Sequence, residues 1–246
     1  MQKRADILLV EQGLVESRAR AQVEISAGQV FVGKDPVRKA SQRLHEGAEL
    51  HLKARALPWV SRAALKLGHA LDHFDLGLEG RCVLDLGACT GGFSEVALKA
   101  GAVHVFAVDV GRGQLHTSLK GQERLTSMEG VNARNLVKGD FDRPIDAIVS
   151  DLSFISLKLG LSPALEICEP GGTLIALIKP QFEAGKERVG RGGIVKDPSV
   201  HKEIVSDIEA WINAKKPWQV LGVTPSPITG SDGNQEFLIA AEKKKI

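Results

Sequence analysis

Residues 82–98, CVLDLGACTGGFSEVAL, run from an apolar stretch through a carboxylate into a glycine-rich turn and out into an amphipathic segment. Three further apolar stretches follow, VHVFAVDV, DAIVSDL and GTLIALIK, each set off by a stretch long enough for a helix. Strands that are apolar throughout need cover on both faces, and alternation with helices supplies it, so the pattern predicts an α/β fold with a mainly parallel, doubly wound sheet. Ligands of such sheets sit beyond the carboxyl ends of the strands, near the switch in strand order. The glycine turn falls at that position.

The turn narrows the ligand. Dinucleotide-binding chains carry G-x-G-x-x-G after the first strand, and the middle glycine admits a pyrophosphate. Here the run is Gly87-Ala88-Cys89-Thr90-Gly91-Gly92, and NAD fits it poorly. S-adenosylmethionine has no pyrophosphate. Its ammonium group could be neutralised by Asp85 through the loop, and its ribose hydroxyls could donate to Asp109 at the end of the second strand. Gly87, Ala88, Gly91, Gly92 and Phe93 are the expected cofactor turn. In EGVNARNL, between VHVFAVDV and DAIVSDL, Asn132 is the expected hydrogen-bonding partner of the adenine.

Composition excludes several other classes. With 43% hydrophobic and 25% charged residues among 246, the chain resembles ordinary globular proteins. TLIALI, residues 173–178, is among its longest apolar runs, far short of the about 20 residues a spanning helix needs. The apolar stretch in MQKRADILLVEQG is too short for a secretory signal, so a cytoplasmic protein without a membrane partner is expected. The three cysteines form no C-x-x-C pair, and His69 and His73 lack the glutamate of an H-E-x-x-H pattern; neither a disulfide framework nor a metal site is expected.

The basic surplus sits at the front: residues 1–60 hold ten lysines and arginines against seven carboxylates. Within them RADILLVEQG and ESRARAQVEISAG have helical spacing and stop at Gly13 and Gly28, as C-capped helices do. QVFVG and AELHLK alternate as short strands around the basic loop KDPVRKASQR. Arg4, Arg18, Arg20, Lys34, Arg38, Lys39 and Arg43 are candidates for one cationic face suited to phosphates.

The motifs R-x-D-x-x-L from Arg4, S-R-x-x-A-x-x-x-I-x-x-G-x-V-x-V from Ser17 to Val32, and GAEL resemble the S4 RNA-binding domain. That resemblance implies a small α+β module whose second helix and following loop face structured RNA, with Arg18, Arg20 and Lys34 among the contacts. The expected organisation is an S4 domain over 1–54, a linker over 55–58 in which Pro58 keeps Leu57 extended, and a second domain over 59–246.

The strand ends indicate which atom is modified. Amino-methylating enzymes of this architecture carry Asn/Asp-Pro-Pro-aromatic after the fourth strand, whereas this chain has DLSF, residues 151–154. Carbon-5 methylation of a pyrimidine needs a cysteine nucleophile, commonly after proline, and no Pro-Cys occurs. Asp151 and Lys179 lie at the ends of the DAIVSDL and GTLIALIK strands, Lys66 lies on the helix before the first strand, and Glu236 opens the last, so all four can converge on one cleft.

SRAALKL, VLDLGACTGGF, DVGRGQL, SDLSFISL, IKPQFE and GNQEF, behind an S4-like module and an RALP linker, resemble the TlyA family of ribosomal RNA 2′-O-methyltransferases. The second domain is also similar to FtsJ-type methyltransferases. These resemblances imply a Rossmann-like class I S-adenosylmethionine-dependent methyltransferase sheet and a Lys-Asp-Lys-Glu tetrad at Lys66, Asp151, Lys179 and Glu236. They further imply a cytidine ribose in ribosomal RNA or a ribosomal subunit as substrate; some relatives carry the name haemolysin. A ribose hydroxyl is a poor acid, so its reaction needs in-line placement and a partner for the proton. Lys179 is the expected base if neutral; if charged, it would stabilise the developing alkoxide while water or a carboxylate takes the proton. Arg62 and the basic loop EAGKERVGRGGIVKDP, with Lys186, Arg188 and Arg191, complete the expected RNA contacts. A membrane-active protein would need a cationic amphipathic helix with large apolar residues, which is not evident, and a non-catalytic RNA binder would not need the tetrad.

Overall fold

The computed structural model describes residues 2–53, 58–230 and 232–245. The chain divides into two compact units, Met1–Pro58 and Trp59–Ile246. The expected linker lies, apart from Pro58, outside the described residues.

In the first unit a short strand β1 (Gln2–Arg4) leads into helices α1 (Ala5–Glu11) and α2 (Arg18–Ser26). Four strands follow: β2 (Val30–Val32), β3 (Asp35–Pro36), β4 (Arg43–His45) and β5 (Leu50–Leu52). β2 lies between β3 and β5, while β1 pairs with β4. The two helices end where the glycines predict, and Ala5, Leu8, Leu9, Ala21, Ile25, Val30 and Leu50 pack into one core. β1, β3 and β4 read QKR, DP and RLH, with no pair of apolar residues at alternate positions to reveal them in sequence.

The second unit is built on a seven-stranded sheet. Its strands are β6 (Cys82–Leu86), β7 (His104–Asp109), β8 (Leu125–Glu129), β9 (Ala147–Ser150), β10 (Thr173–Ile178), β11 (Trp218–Pro225) and β12 (Phe237–Lys243). They lie in the order β11-β12-β10-β9-β6-β7-β8, with β12 antiparallel to both neighbours. Successive strand residues point to opposite faces. Leu84, Leu86, Phe106, Val108, Ile148, Leu174 and Ile178 therefore enter one core with α5 (Leu157–Ile167) and α7 (Pro198–Ala214). Val83, Val105, Val149, Ile175 and Leu177 enter the other, with α3 (Ala64–Phe74) and α4 (Gly92–Lys99). Burial on both faces explains the unbroken apolar runs.

One expectation needs correction. The connections from β7 to β8 and from β8 to β9 contain only three-residue 3-10 turns, at 117–119, 133–135 and 138–140, not helices. These stretches are polar and glycine-bearing, without a continuous apolar stripe. The chain after β8 instead lines a cleft.

Candidate active site

The strand order switches at β6, whose neighbours are β7 and β9. Beyond the carboxyl ends of these strands lies a cleft of about 570 Å³, walled by Gly87, Cys89, Asp109, Val110, Val131, Asn132, Ala133, Asp151 and Phe154 among others. Gly87 makes the switch geometrically possible. Its φ is +81°, and a Cβ there would meet the Asp151 carbonyl oxygen at 2.9 Å, so only glycine lets the two strand ends approach this closely.

Asp109 ties the turn to the second strand. One carboxylate oxygen accepts the Cys89 amide at 2.8 Å and the other the Gly111 amide at 2.7 Å. Each oxygen keeps a further lone pair, and the residue borders the cleft. Asn132 also borders it. Its Oδ1 accepts the Arg134 amide at 3.1 Å, which leaves the Nδ2 hydrogens as its donors.

Other residues of the expected cofactor turn support the wall rather than form it. Asp85 is fully buried below the turn, where the Ser94 hydroxyl donates to it at 2.6 Å. Burial pushes its carboxyl up to about 7, with the Asp151 charge adding to the rise. It is therefore not an exposed counter-charge for a ligand. Phe93, 2% exposed, is a core residue. Gly91, at φ +92°, leaves space for the Leu115 and Leu119 side chains, and Gly92 for the Ser61 hydroxyl. Ala88 is buried as well.

Next to the cleft, four charged side chains meet. Lys66, on the first turn of α3, contacts Glu236 at 2.6 Å and Asp151 at 4.0 Å. Lys179 contacts the other Asp151 oxygen at 2.7 Å and donates to Ser153 Oγ at 2.6 Å. The register explains the meeting. Ile178 pairs with Phe237 across antiparallel strands, which brings Lys179 and Glu236 to the same sheet end, while Asp151 follows β9 alongside. Pro180 begins the short helix α6 (Pro180–Glu183) and stops the strand at Lys179. The quartet has no net formal charge and is mostly shielded from water; Lys66, Lys179 and Glu236 are all buried. Such pairs fix geometry more than they stabilise a fold.

The FtsJ-like methyltransferase family profile matches residues 59–243, and the S4 domain profile matches residues 3–50. The 16S/23S rRNA (cytidine-2′-O)-methyltransferase TlyA of Mycobacterium tuberculosis is 40% identical over 237 residues, covering 96% of this chain and 88% of that protein. The chain belongs to the TlyA family of FtsJ-like methyltransferases. Hemolysin A of Brachyspira hyodysenteriae is 36% identical, with 96% of this chain and 98% of that protein covered. A solved structure from Streptococcus thermophilus, provisionally named a hemolysin, is 40% identical with a TM-score of 0.78, covering 99% of this chain and 89% of that one.

In the S4 unit of this family member, Lys34, Arg38, Lys39 and Arg43 are exposed and form no ion pair among the described residues. Arg20 departs from expectation: it is 8% exposed and paired at 2.8 Å with the buried Glu24, a helical turn away, so its charge is spent inside the module. Arg4 and Arg18 stay partly exposed while both bind the buried Asp6, at 2.9 Å each. Their guanidinium groups hold the Asp6 carboxyl far below the usual range, hydrogen bonding from Arg4 contributing most. The aspartate of R-x-D-x-x-L thus joins the start of α1 to α2.

In the FtsJ-like unit, Arg62 is exposed and donates to the Thr229 carbonyl at 3.3 Å. Arg191 is exposed, whereas Arg188 is drawn back to Glu203 at 2.7 Å and to the Ala184 carbonyl. That pairing removes Arg188 from the freely presented cations. The Lys186 side chain lies outside the described residues. Among the described residues no helix is long and apolar enough to cross a membrane, and no group of three histidine, cysteine or carboxylate residues could hold a metal.

Sequence reasoning missed Phe154. It is 91% exposed at φ +62°, its ring borders the cleft, and Phe182 lies 5.2 Å away between ring centroids. The signal was present in DLSF: an aromatic stands three residues after Asp151, the offset at which the proline-bearing base-gripping motif puts its own ring. Arg134 on the cleft wall was missed too, and nothing in its neighbourhood marks it out before folding.

Proposed function

We propose that this enzyme transfers a methyl group from S-adenosylmethionine to the 2′-hydroxyl of a cytidine in ribosomal RNA, acting in the cytoplasm on the RNA or on a ribosomal subunit. The observation that carries this reading is the buried quartet beside the cleft, joined through the two Asp151 carboxylate oxygens.

The residues present suit the cofactor. Asp109 has lone pairs left for ribose hydroxyls, Asn132 has amide hydrogens left for an adenine ring nitrogen, and Val110 and Val131 offer apolar flanks. When bound, S-adenosylmethionine supplies an electrophilic methyl carbon. The protein must then orient the hydroxyl and dispose of its proton. The Lys179 ammonium position has three acceptors around it: the Asp151 carboxylate, Ser153 Oγ and, at 3.4 Å, the Asp151 carbonyl. Nζ is therefore set as a donor, and the hydrogen in the long contact to the Asp151 carbonyl is the one free to turn to the ribose oxygen and stabilise the negative charge that grows there while a carboxylate or water takes the proton. Lys66, held by Glu236, faces the other Asp151 oxygen at 4.0 Å, and this pair would orient the hydroxyl. Phe154 offers a free aromatic face on which the target base could stack.

The substrate assignment draws on the S4 unit, with its exposed Lys34, Arg38, Lys39 and Arg43, and on the names of the TlyA relatives. The 2′-hydroxyl also distinguishes RNA from DNA. Each purified ribosomal subunit incubated with the enzyme and methyl-labelled cofactor tests the reading. Label is expected on a cytidine ribose; label on a base, or none on either subunit, would overturn it.

A further inference from the structure

The glycine-rich basic loop after α6 is anchored at its far end by one side chain from a different part of the chain. Asn234 is fully buried. Its Oδ1 accepts the Val195 amide at 3.0 Å, and its Nδ2 donates to the Gly193 carbonyl at 2.9 Å. This pair of partners suits a carboxamide: a carboxylate could not donate to Gly193, and an apolar isostere could serve neither. Val195 itself is 2% exposed in the core, and His201 on α7 meets its carbonyl at 2.9 Å. The anchored end is thus fixed, while Arg191, on the same loop, is exposed.

Asn234 also belongs to the turn that presents Glu236. Its carbonyl accepts the Gly230 amide at 2.9 Å, and Gly230 lies so close to Glu236 that a Cβ would meet Oε1 at 2.7 Å. The Glu236 carbonyl in turn accepts the Ser226 amide at 2.9 Å. Glu236 Oε2 is the oxygen that binds Lys66. One buried amide therefore connects a loop bearing an exposed cation to the turn bearing a member of the quartet.

We propose that Asn234 is a positioning residue that makes the basic loop and the Glu236 turn one mechanical unit, so that RNA engaging the loop and the placement of the Glu236 carboxylate are coupled. The inference rests on the reading of RNA as substrate. Asn234 is not on the cleft wall, so cofactor affinity should be insensitive to it.

The test compares Asn234→Leu and Asn234→Asp with the full-length enzyme. The measurements are cofactor affinity, KM for ribosomal RNA, kcat, and hydrogen exchange at the Val195 amide. Asn234→Leu should accelerate Val195 exchange, because that amide loses its acceptor, and lower kcat by about ten- to hundredfold, the scale of a small misplacement of a positioned group, and raise KM for RNA while cofactor affinity stays within about twofold. Asn234→Asp keeps the acceptor for Val195, so it should preserve protection there and fall between wild type and Asn234→Leu in kcat. Unchanged kcat and KM in Asn234→Leu would overturn the proposal. So would loss of cofactor binding in both variants, which would mean a general structural role, or an Asn234→Asp enzyme no better than Asn234→Leu. A wild-type enzyme inactive on RNA would refute the substrate reading instead, while Val195 exchange would still report whether the amide anchors the loop.

Discussion

Lys179 has a different consequence from its neighbours when removed. Its Nζ is the group placed to hold the reacting oxygen, so Lys179→Ala should lower methyl transfer by about 10²–10³-fold while cofactor affinity, measured by calorimetry, stays near wild type. Gly87→Ala should fail differently. The added methyl would press on the Asp151 backbone, and the left-handed backbone would be strained as well; weaker cofactor binding and lower activity should appear together. Asp85 brings a pH dependence. Its folded value of about 7 lies above the ordinary 3.8, so the native state holds a proton that the unfolded chain releases between those values. Its contribution to stability is full below about pH 4 and is lost as pH rises through about 7. Asp85→Asn should therefore flatten the decline in melting temperature between about pH 4 and pH 7, the window in which the unfolded chain has released this proton and the native state still holds it. A variant that melts with the wild-type slope would show that the buried carboxyl does not set it.

Among the elements, α5 shows how a helix end can be completed from far away in sequence. Ser156 precedes it but makes no side-chain cap. Glu183 on α6 does so instead, accepting the Leu157 amide at 2.6 Å and the Ser156 hydroxyl at 2.8 Å. A carboxylate there also suits the positive end of the helix dipole. Glu183 thereby ties the chain just after Phe154 to the helix that starts beside Lys179. Glu183→Ala should cost about 1–2 kcal/mol in denaturant unfolding, the usual range for a lost helix cap. A change well under that would mean that water replaces the carboxylate without penalty. No local pattern signals this contact. A helix between β9 and β10 was legible from the length of the intervening stretch, but its cap lies 26 residues downstream, beyond β10.

For the whole molecule, RNA affinity should follow the exposed cations of the S4 unit, not its total charge. Lys34→Ala and Lys39→Ala together should weaken RNA binding and reduce the slope of log affinity against log salt by about one per lysine that contacts a phosphate. Arg20→Ala should instead lower the stability of the module, because it removes the buried cation that pairs with the Glu24 carboxylate. Filter binding across a salt series separates the two outcomes. An Arg20 variant that changes the salt slope as the lysine pair does would contradict its buried assignment.

The sequence by itself determined the apolar strands and the helices after the first and fourth of the sheet in chain order, though not the helix-free connections on either side of β8, together with the glycine turn at the first strand's end and the four charged residues next to strand ends or on the preceding helix. Those features are local: apolar runs and strand punctuation act over a few residues, and a strand end fixes where a side chain emerges. Tertiary structure alone decided what each charge meets. Arg20 turns inward to Glu24 and Arg188 back to Glu203, although both sit in stretches as basic as those around Lys34 and Arg191. Asp85 and Phe93 lie within the cofactor motif yet belong to the packed support under it. The physical reason is that burial and ion pairing are set by contacts between residues distant in sequence, such as Lys66 with Glu236 or Asn234 with Val195, which come into being only when the sheet closes in its switched order.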